Sequence, residues 1–166
     1  SATDEGAGIT NRDWYKTLFA DGHQSATDPE YNNIIYATTQ EGRFHRVDLE
    51  TGEQVFVQPQ ALEGDPHERY NWDTPILVSP HNPAKIYIGS YRVWESNDRG
   101  DSWNPISGDL TRNENRIELP IMGRKQSWDN AWDVKAMSQY NTITSLSESP
   151  VPVSYTHLRA HETRPN

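Results

Sequence analysis

Two carboxylates, Asp21 and Asp73, stand at corresponding places in the chain, each just ahead of a short strand-forming run. Paired carboxylates facing one cleft can do acid and base work on a glycosidic bond. One protonates the leaving oxygen while the other activates water or attacks the sugar. Residue types that hold a ligand lie nearby. His23 and Arg92 supply hydrogen-bond donors, Asn71 a carboxamide, and Trp72 and Tyr91 flat rings for stacking. The same residues also have a structural reading, since Asp and Asn ahead of a strand close turns and Trp72 can pack between sheets. His45 and His81 read as surface or packing residues, and His67, in Gly64-Asp65-Pro66-His67-Glu68, as a loop residue.

The two carboxylates correspond because the chain repeats. One copy reads HQSATDPEYNNIIYATTQEGRFHRVDLETGE (23–53), the next TPILVSPHNPAKIYIGSYRVWESNDRGDSW (74–103), and a third begins TITSLSESP (142–150). Pro29 and Pro80 are about 50 residues apart and Pro80 and Pro150 about 70, a period in the range of propeller repeats with one insertion. Each copy runs strand, Asp/Ser-Pro, polar turn, strand with Ile and Tyr, turn, strand, Gly turn, strand. First strands are expected at 23–27, 74–78 and 142–147, second strands at 34–39 and 85–90, third at 43–48 and 92–96, fourth at 53–57 and 103–107. Pro29 and Pro80 end the first strands because proline cannot donate to a ladder.

Four strands per repeat at this period predict an all-β chain from a β-propeller: two four-stranded blades plus the first strand of a third. Residues 1–22 then end a preceding blade and its crossing loop. Blades occupy 23–57 and 74–107, joined by a crossing loop at 58–73; an insertion spans 108–141, with a short helix expected over 128–139; and 142–151 starts the next blade. In that order the first-to-second and third-to-fourth strand turns share one rim. The second-to-third turns, the crossing loops and the insertion share the other, where Asp21, His23, Asn71, Trp72, Asp73, Tyr91 and Arg92 would gather and a ligand is expected.

The stretch SNDRGDSW (96–103) sits in the second copy's last hairpin. Gly100 can take the positive φ that such a turn needs, Ser96 and Asp98 can accept backbone N–H groups, and Trp103 can cover the gap between sheets. The S-x-D-x-G-x-x-W pattern is that of the Asp-box. The embedded Arg99-Gly100-Asp101 is accounted for by the turn and needs no role in cell adhesion. With this motif the run over about 14–151 resembles bacterial secreted proteins with Asp-box (BNR) repeats, often described as sortilin-like or glycosyl-hydrolase-like. The resemblance implies a secreted, periplasmic or cell-envelope location and a scaffold that binds glycan or peptide. The alternative is part of a glycoside hydrolase using Asp21 and Asp73. It carries no catalytic residue over by motif.

Composition narrows the partners. The net charge of −9 argues against nucleic acid and anionic membranes, and no apolar run is long enough to span a bilayer. The chain has no Cys, so it holds neither disulfide nor thiolate zinc site. No cofactor is expected; a Ca²⁺ site has no ligand spacing to support it. The expected partners are a ligand and further blades of the same parent chain. The opening SATDEGAGIT has no Met, so the natural chain is expected to begin upstream. Residues 152–166 break the repeat grammar. Val153–Leu158 is what GTC-TCT-TAT-ACA-CAT-CTC encodes, and the stretch resembles a translated transposon-end sequencing adapter. It is expected to be non-native and to pack against nothing.

Overall fold

The computed structural model describes residues 11, 14–21, 24–135, 139–151 and 158–162. Its architecture is all-β, with antiparallel sheets and, among the described residues, one short α-helix. Sheet I is a meander of β1 (Ser25–Thr27), β2 (Ile34–Thr38), β3 (Phe44–Asp48) and β4 (Gln54–Phe56), in the order β1-β2-β3-β4. Sheet II repeats it with β5 (Ile76–Val78), β6 (Ile86–Gly89), β7 (Val93–Ser96) and β8 (Asn104–Pro105). The registers match. Tyr36 pairs with Ala26 in sheet I and Tyr87 pairs with Leu77 in sheet II, and these tyrosines are spaced as Pro29 and Pro80 are.

The turn after each first strand is made the same way three times. The side chain ahead of proline accepts the N–H of the residue after it: Glu30 N to Asp28 Oδ1 at 2.9 Å, His81 N to Ser79 Oγ at 3.2 Å, and Val151 N to Ser149 Oγ at 3.2 Å. Proline has no N–H to offer the ladder, and the preceding polar side chain closes the turn in its place.

The core lies between the sheets. Tyr36 and Phe44 of sheet I meet Ile86, Ile88 and Trp94 of sheet II, with Val57 and Tyr70 completing the cluster. The other face of sheet II, through Tyr87 and Val93, packs on Ile143 of β11 (Ile143–Glu148). Gly89 allows that approach, since a Cβ there would stand 3.0 Å from Ile143 Cγ2. Between sheet II and β11 the chain forms a small hairpin, β9 (Pro120–Ile121) with β10 (Arg124–Lys125), and the helix α1 (Ala131–Lys135).

Two expectations need correction. The helix foreseen over 128–139 spans only Ala131–Lys135 among the described residues. The Asn130 side chain accepts the Trp132 N–H at 3.1 Å and so starts the helix there; residues 136–138 lie outside the described set. The tail was expected to pack against nothing. Residues 158–162 instead form β12 (Leu158–Glu162), antiparallel to β11, with Ala160 opposite Leu146 and half-buried beside it. An open strand edge accepts any extended segment through its backbone, so this pairing follows whatever the segment's origin.

Candidate functional site

The 96–103 turn is built by side chains. The Ser96 hydroxyl donates to Asp98 Oδ1 (2.8 Å) and accepts from Gly100 N (2.8 Å). Asp98 also accepts Ser102 N (2.8 Å) and the Ser102 hydroxyl (2.5 Å). Those Ser102 donors, with Ser96, hold the Asp98 carboxyl below its usual value. Gly100 has φ 91°, and the Trp103 indole donates to Val57 O at 2.7 Å. The turn also clamps sheet II to sheet I. Arg99 donates to the buried Asp28 (2.8 Å) and to Glu30 (2.5 Å), with its guanidinium 4.6 Å from the Tyr31 ring centroid. Arg46 reaches Arg99 O (2.8 Å) and Asp101 (2.9 Å). Arg99 and Asp101 are therefore engaged within the chain.

On the opposite rim three distant segments meet around a polar cleft of about 150 Å³. The β2–β3 turn brings Glu41 and Arg43, the 58–73 crossing loop brings Gln58, His67 and Glu68, and the end of the insertion brings Gln139. Glu41 (φ 58°) and Gly42 (φ 68°) turn left-handed in succession. A Cβ on Gly42 would sit 2.6 Å from Tyr70 Cδ1, so glycine lets the turn close onto that ring. Tyr70 donates to Pro59 O at 2.7 Å and braces the crossing loop; burial raises its phenol pKa.

The cleft's polar groups divide into fixed and available. Glu68 is fixed. Oε1 takes Arg92 Nε (2.8 Å) and a terminal guanidinium nitrogen (2.5 Å), and Oε2 takes the Ser90 hydroxyl (2.6 Å) and the Trp94 indole N–H (3.3 Å). Gln58 is half fixed, donating to Glu41 O at 3.1 Å. The Arg43 guanidinium and the His67 ring are exposed and have no hydrogen-bond or ion-pair partner among the described residues. Gln139 Oε1 is buried without a hydrogen bond. The insertion is tied down beside the cleft by Arg69, which bonds Asp109 (2.9 Å) and Asn141 O (3.4 Å). The chain matches no protein-family model, and a search of the curated proteins finds no match either.

The foreseen site residues end up in different places. Arg92 is buried, and all three of its guanidinium nitrogens are engaged, with Glu68 and with Asp65 at 2.7 Å. It therefore braces the loop and does not hold a ligand. Tyr91 is also buried, its ring flanked by Arg69 and Arg92, and cannot stack a sugar. Asn71 is spent on Thr142 Oγ1 (2.9 Å) and on the Asp73 N–H (2.9 Å), joining the crossing loop to the start of β11. Trp72 and Asp73 are exposed in the turn before β5. Asp21 is exposed and accepts from Gln40 Nε2 at 2.9 Å. Neither Asp21 nor Asp73 lines the cleft. His23 lies outside the described residues. Ser96, Asp98, Gly100 and Trp103 have their structural roles. Among the described residues no group of three or more His, Cys, Asp or Glu is placed to hold a metal.

Arg43, His67, Glu68 and Gln139 were missed as site residues. They come from three segments with no shared motif. The one available signal was the crossing-loop rule itself, carried further back from Asn71 into 58–68.

Proposed function

We propose that the chain is a run of Asp-box β-propeller blades whose crossing-loop rim binds a glycan. The observation that carries this reading is the polar cleft with unspent donors at Arg43 and His67 and a buried, unbonded acceptor at Gln139 Oε1. Hydroxyl-rich ligands offer both donors and acceptors to such a lining, and a cleft of this size suits one residue of a longer chain. The repeated meander, the recurring Pro turn and the face-to-face packing of successive sheets support the propeller reading. The sequence resemblance supports a location outside the cytoplasm.

Binding is favoured over glycoside hydrolysis because, of the two carboxylates lining the cleft, the buried Glu68 has both oxygens committed to Arg92, Ser90 and Trp94, which leaves the exposed Glu41 without a second free carboxylate to pair with. A carboxylate so engaged is not free to shuttle a proton. The test is a glycan and peptide array with the parent chain and with Arg43→Ala and His67→Ala. Glycan binding weakened about tenfold or more by either substitution, one charged hydrogen bond's worth, supports the reading. Peptide binding alone, or glycan binding indifferent to both substitutions, refutes it.

A further inference from the structure

Two opposite charges stand free on one turn of the cleft. Glu41 and Arg43 both line it and both are exposed. Neither side chain has a hydrogen-bond or ion-pair partner among the described residues, and although they lie two residues apart they do not pair with each other. The turn that carries them is held in place. Glu41 and Gly42 are both left-handed, and Gln58 Nε2 donates to the Glu41 carbonyl at 3.1 Å. A non-glycine residue at positive φ is uncommon, and this one stands at the lip of a cleft.

The rest of the lining limits what can fill it. Its rings are His67 and Tyr70, and Tyr70 is 5% exposed with its hydroxyl committed to Pro59 O. A sugar entering here therefore finds no broad aromatic face, and recognition falls to charge and hydrogen bonds. Gln139 Oε1 is buried without a bond. A buried acceptor left unpaired is costly, so the ligand must bring a donor. The charges behind the lining do not cancel either. Glu68 and Asp65 share the one guanidinium of Arg92, which leaves a negative charge over in a chain of net charge −9. That field favours a cation. An ammonium group is a cation with three N–H donors, and so answers both demands.

We infer that the sugar residue entering the cleft is a hexosamine with a free amino group, its ammonium serving Glu41 and Gln139 Oε1, and that an adjoining acidic sugar meets Arg43. The ligand class is a zwitterionic glycan. This rests on the glycan reading above and narrows it. A neutral sugar leaves both free charges unpaired. An N-acetylated sugar keeps one N–H but loses the charge that Glu41 takes. A purely acidic glycan sets its charge against Glu41.

The test uses oligosaccharides of alternating glucosamine and glucuronate in four forms: with free amines, N-acetylated, with the carboxyls reduced to alcohols, and with both changes. Calorimetric titration of the chain should find the first form tightest. N-acetylation is expected to weaken binding about fivefold, the upper end for an exposed ion pair, and that preference should vanish in Glu41→Gln. Carboxyl reduction is expected to weaken binding by a similar factor, and that preference should vanish in Arg43→Gln. Both preferences should shrink at about 1 M salt. An N-acetylated form that binds as tightly as the free amine overturns the inference, as does a Glu41→Gln chain that keeps the preference. A lysyl-glutamate peptide, carrying the same two charges, that competes as well as the free-amine sugar overturns the sugar assignment. Equal binding of all four forms overturns the hexosamine and leaves the glycan reading standing, whereas no binding by any glycan, here or on the array, removes both.

Discussion

Glu68→Gln isolates the least expected element of the structure. Glu68 and Arg92 have side chains 3% and 9% exposed. Removing one charge of a buried pair strands the other and costs about 3–5 kcal/mol. The introduced amide also sets its N–H₂ against either the Arg92 guanidinium or the Trp94 indole N–H, so one donor loses its acceptor. Taking about 3 kcal/mol, and about 2–4 °C per kcal/mol for a chain of this size, the melting temperature should fall by about 6–12 °C. Asp65, the second partner of Arg92, is 35% exposed; Asp65→Asn should cost no more than about 1 kcal/mol. The double variant Glu68→Leu, Arg92→Met removes both charges and should be more stable than Glu68→Gln. Thermal and urea unfolding followed by tryptophan fluorescence reads all three. A Glu68→Gln chain melting within about 2 °C of the parent would refute the reasoning. So would Arg92 variants that lose glycan binding at unchanged stability.

Other outcomes follow from the clamp and the turns. Burial alone would raise the Asp28 carboxyl, but hydrogen bonds from Arg99, the Glu30 and Tyr31 amides and the Tyr36 hydroxyl hold it below its usual value. A carboxyl depressed on folding lends stability above its unfolded value near about 4 and loses it as pH falls through the folded value. The parent should therefore destabilise more steeply than Asp28→Asn in an acid titration below about pH 4. Gly100→Ala should cost more than Gly52→Ala in chemical denaturation. Both have positive φ, but a Cβ at 100 meets Val57 Cβ at 3.2 Å while none at 52 meets anything within 4 Å. The chain should not support Arg-Gly-Asp-dependent cell attachment, because Arg99 and Asp101 are bound to sheet I; attachment competed away by a free RGD peptide would refute this.

The strands were legible because their signals are local. Ile and Tyr alternate in β2 and β6, and proline marks the end of β1 and β5. The 96–103 turn was legible for the same reason, since Ser96, Asp98 and Ser102 satisfy one another within a few residues. Arg92 was not. Its partner Glu68 lies in a crossing loop with no periodicity, and nothing at either position shows that the guanidinium turns inward. The cleft was half legible: strand order gathers its three segments on one rim, but Arg43, His67 and Gln139 converge only once that loop is fixed by Tyr70 closing over Gly42. The helix was overextended because its sequence is apolar at the right intervals, while Asn130 sets a later start.

The two rims differ in how much change they can absorb. Ion pairs cross the rim of the 96–103 turn, from Arg99 to Asp28 and Glu30 and from Arg46 to Asp101, so any lengthened turn there must part them. The other rim already carries the long excursion between β8 and β11, which folds around its own hub: the Asp133 carboxylate takes Arg124 at 2.7 Å and Ser127 N at 3.0 Å, and Arg116 reaches the Asp133 carbonyl. Divergence and engineering should both enter there. A foreign loop grafted between Asp109 and Asn141 would inherit a ready anchor in Arg69, whereas the same graft in the 96–103 turn would unfasten one sheet from the next.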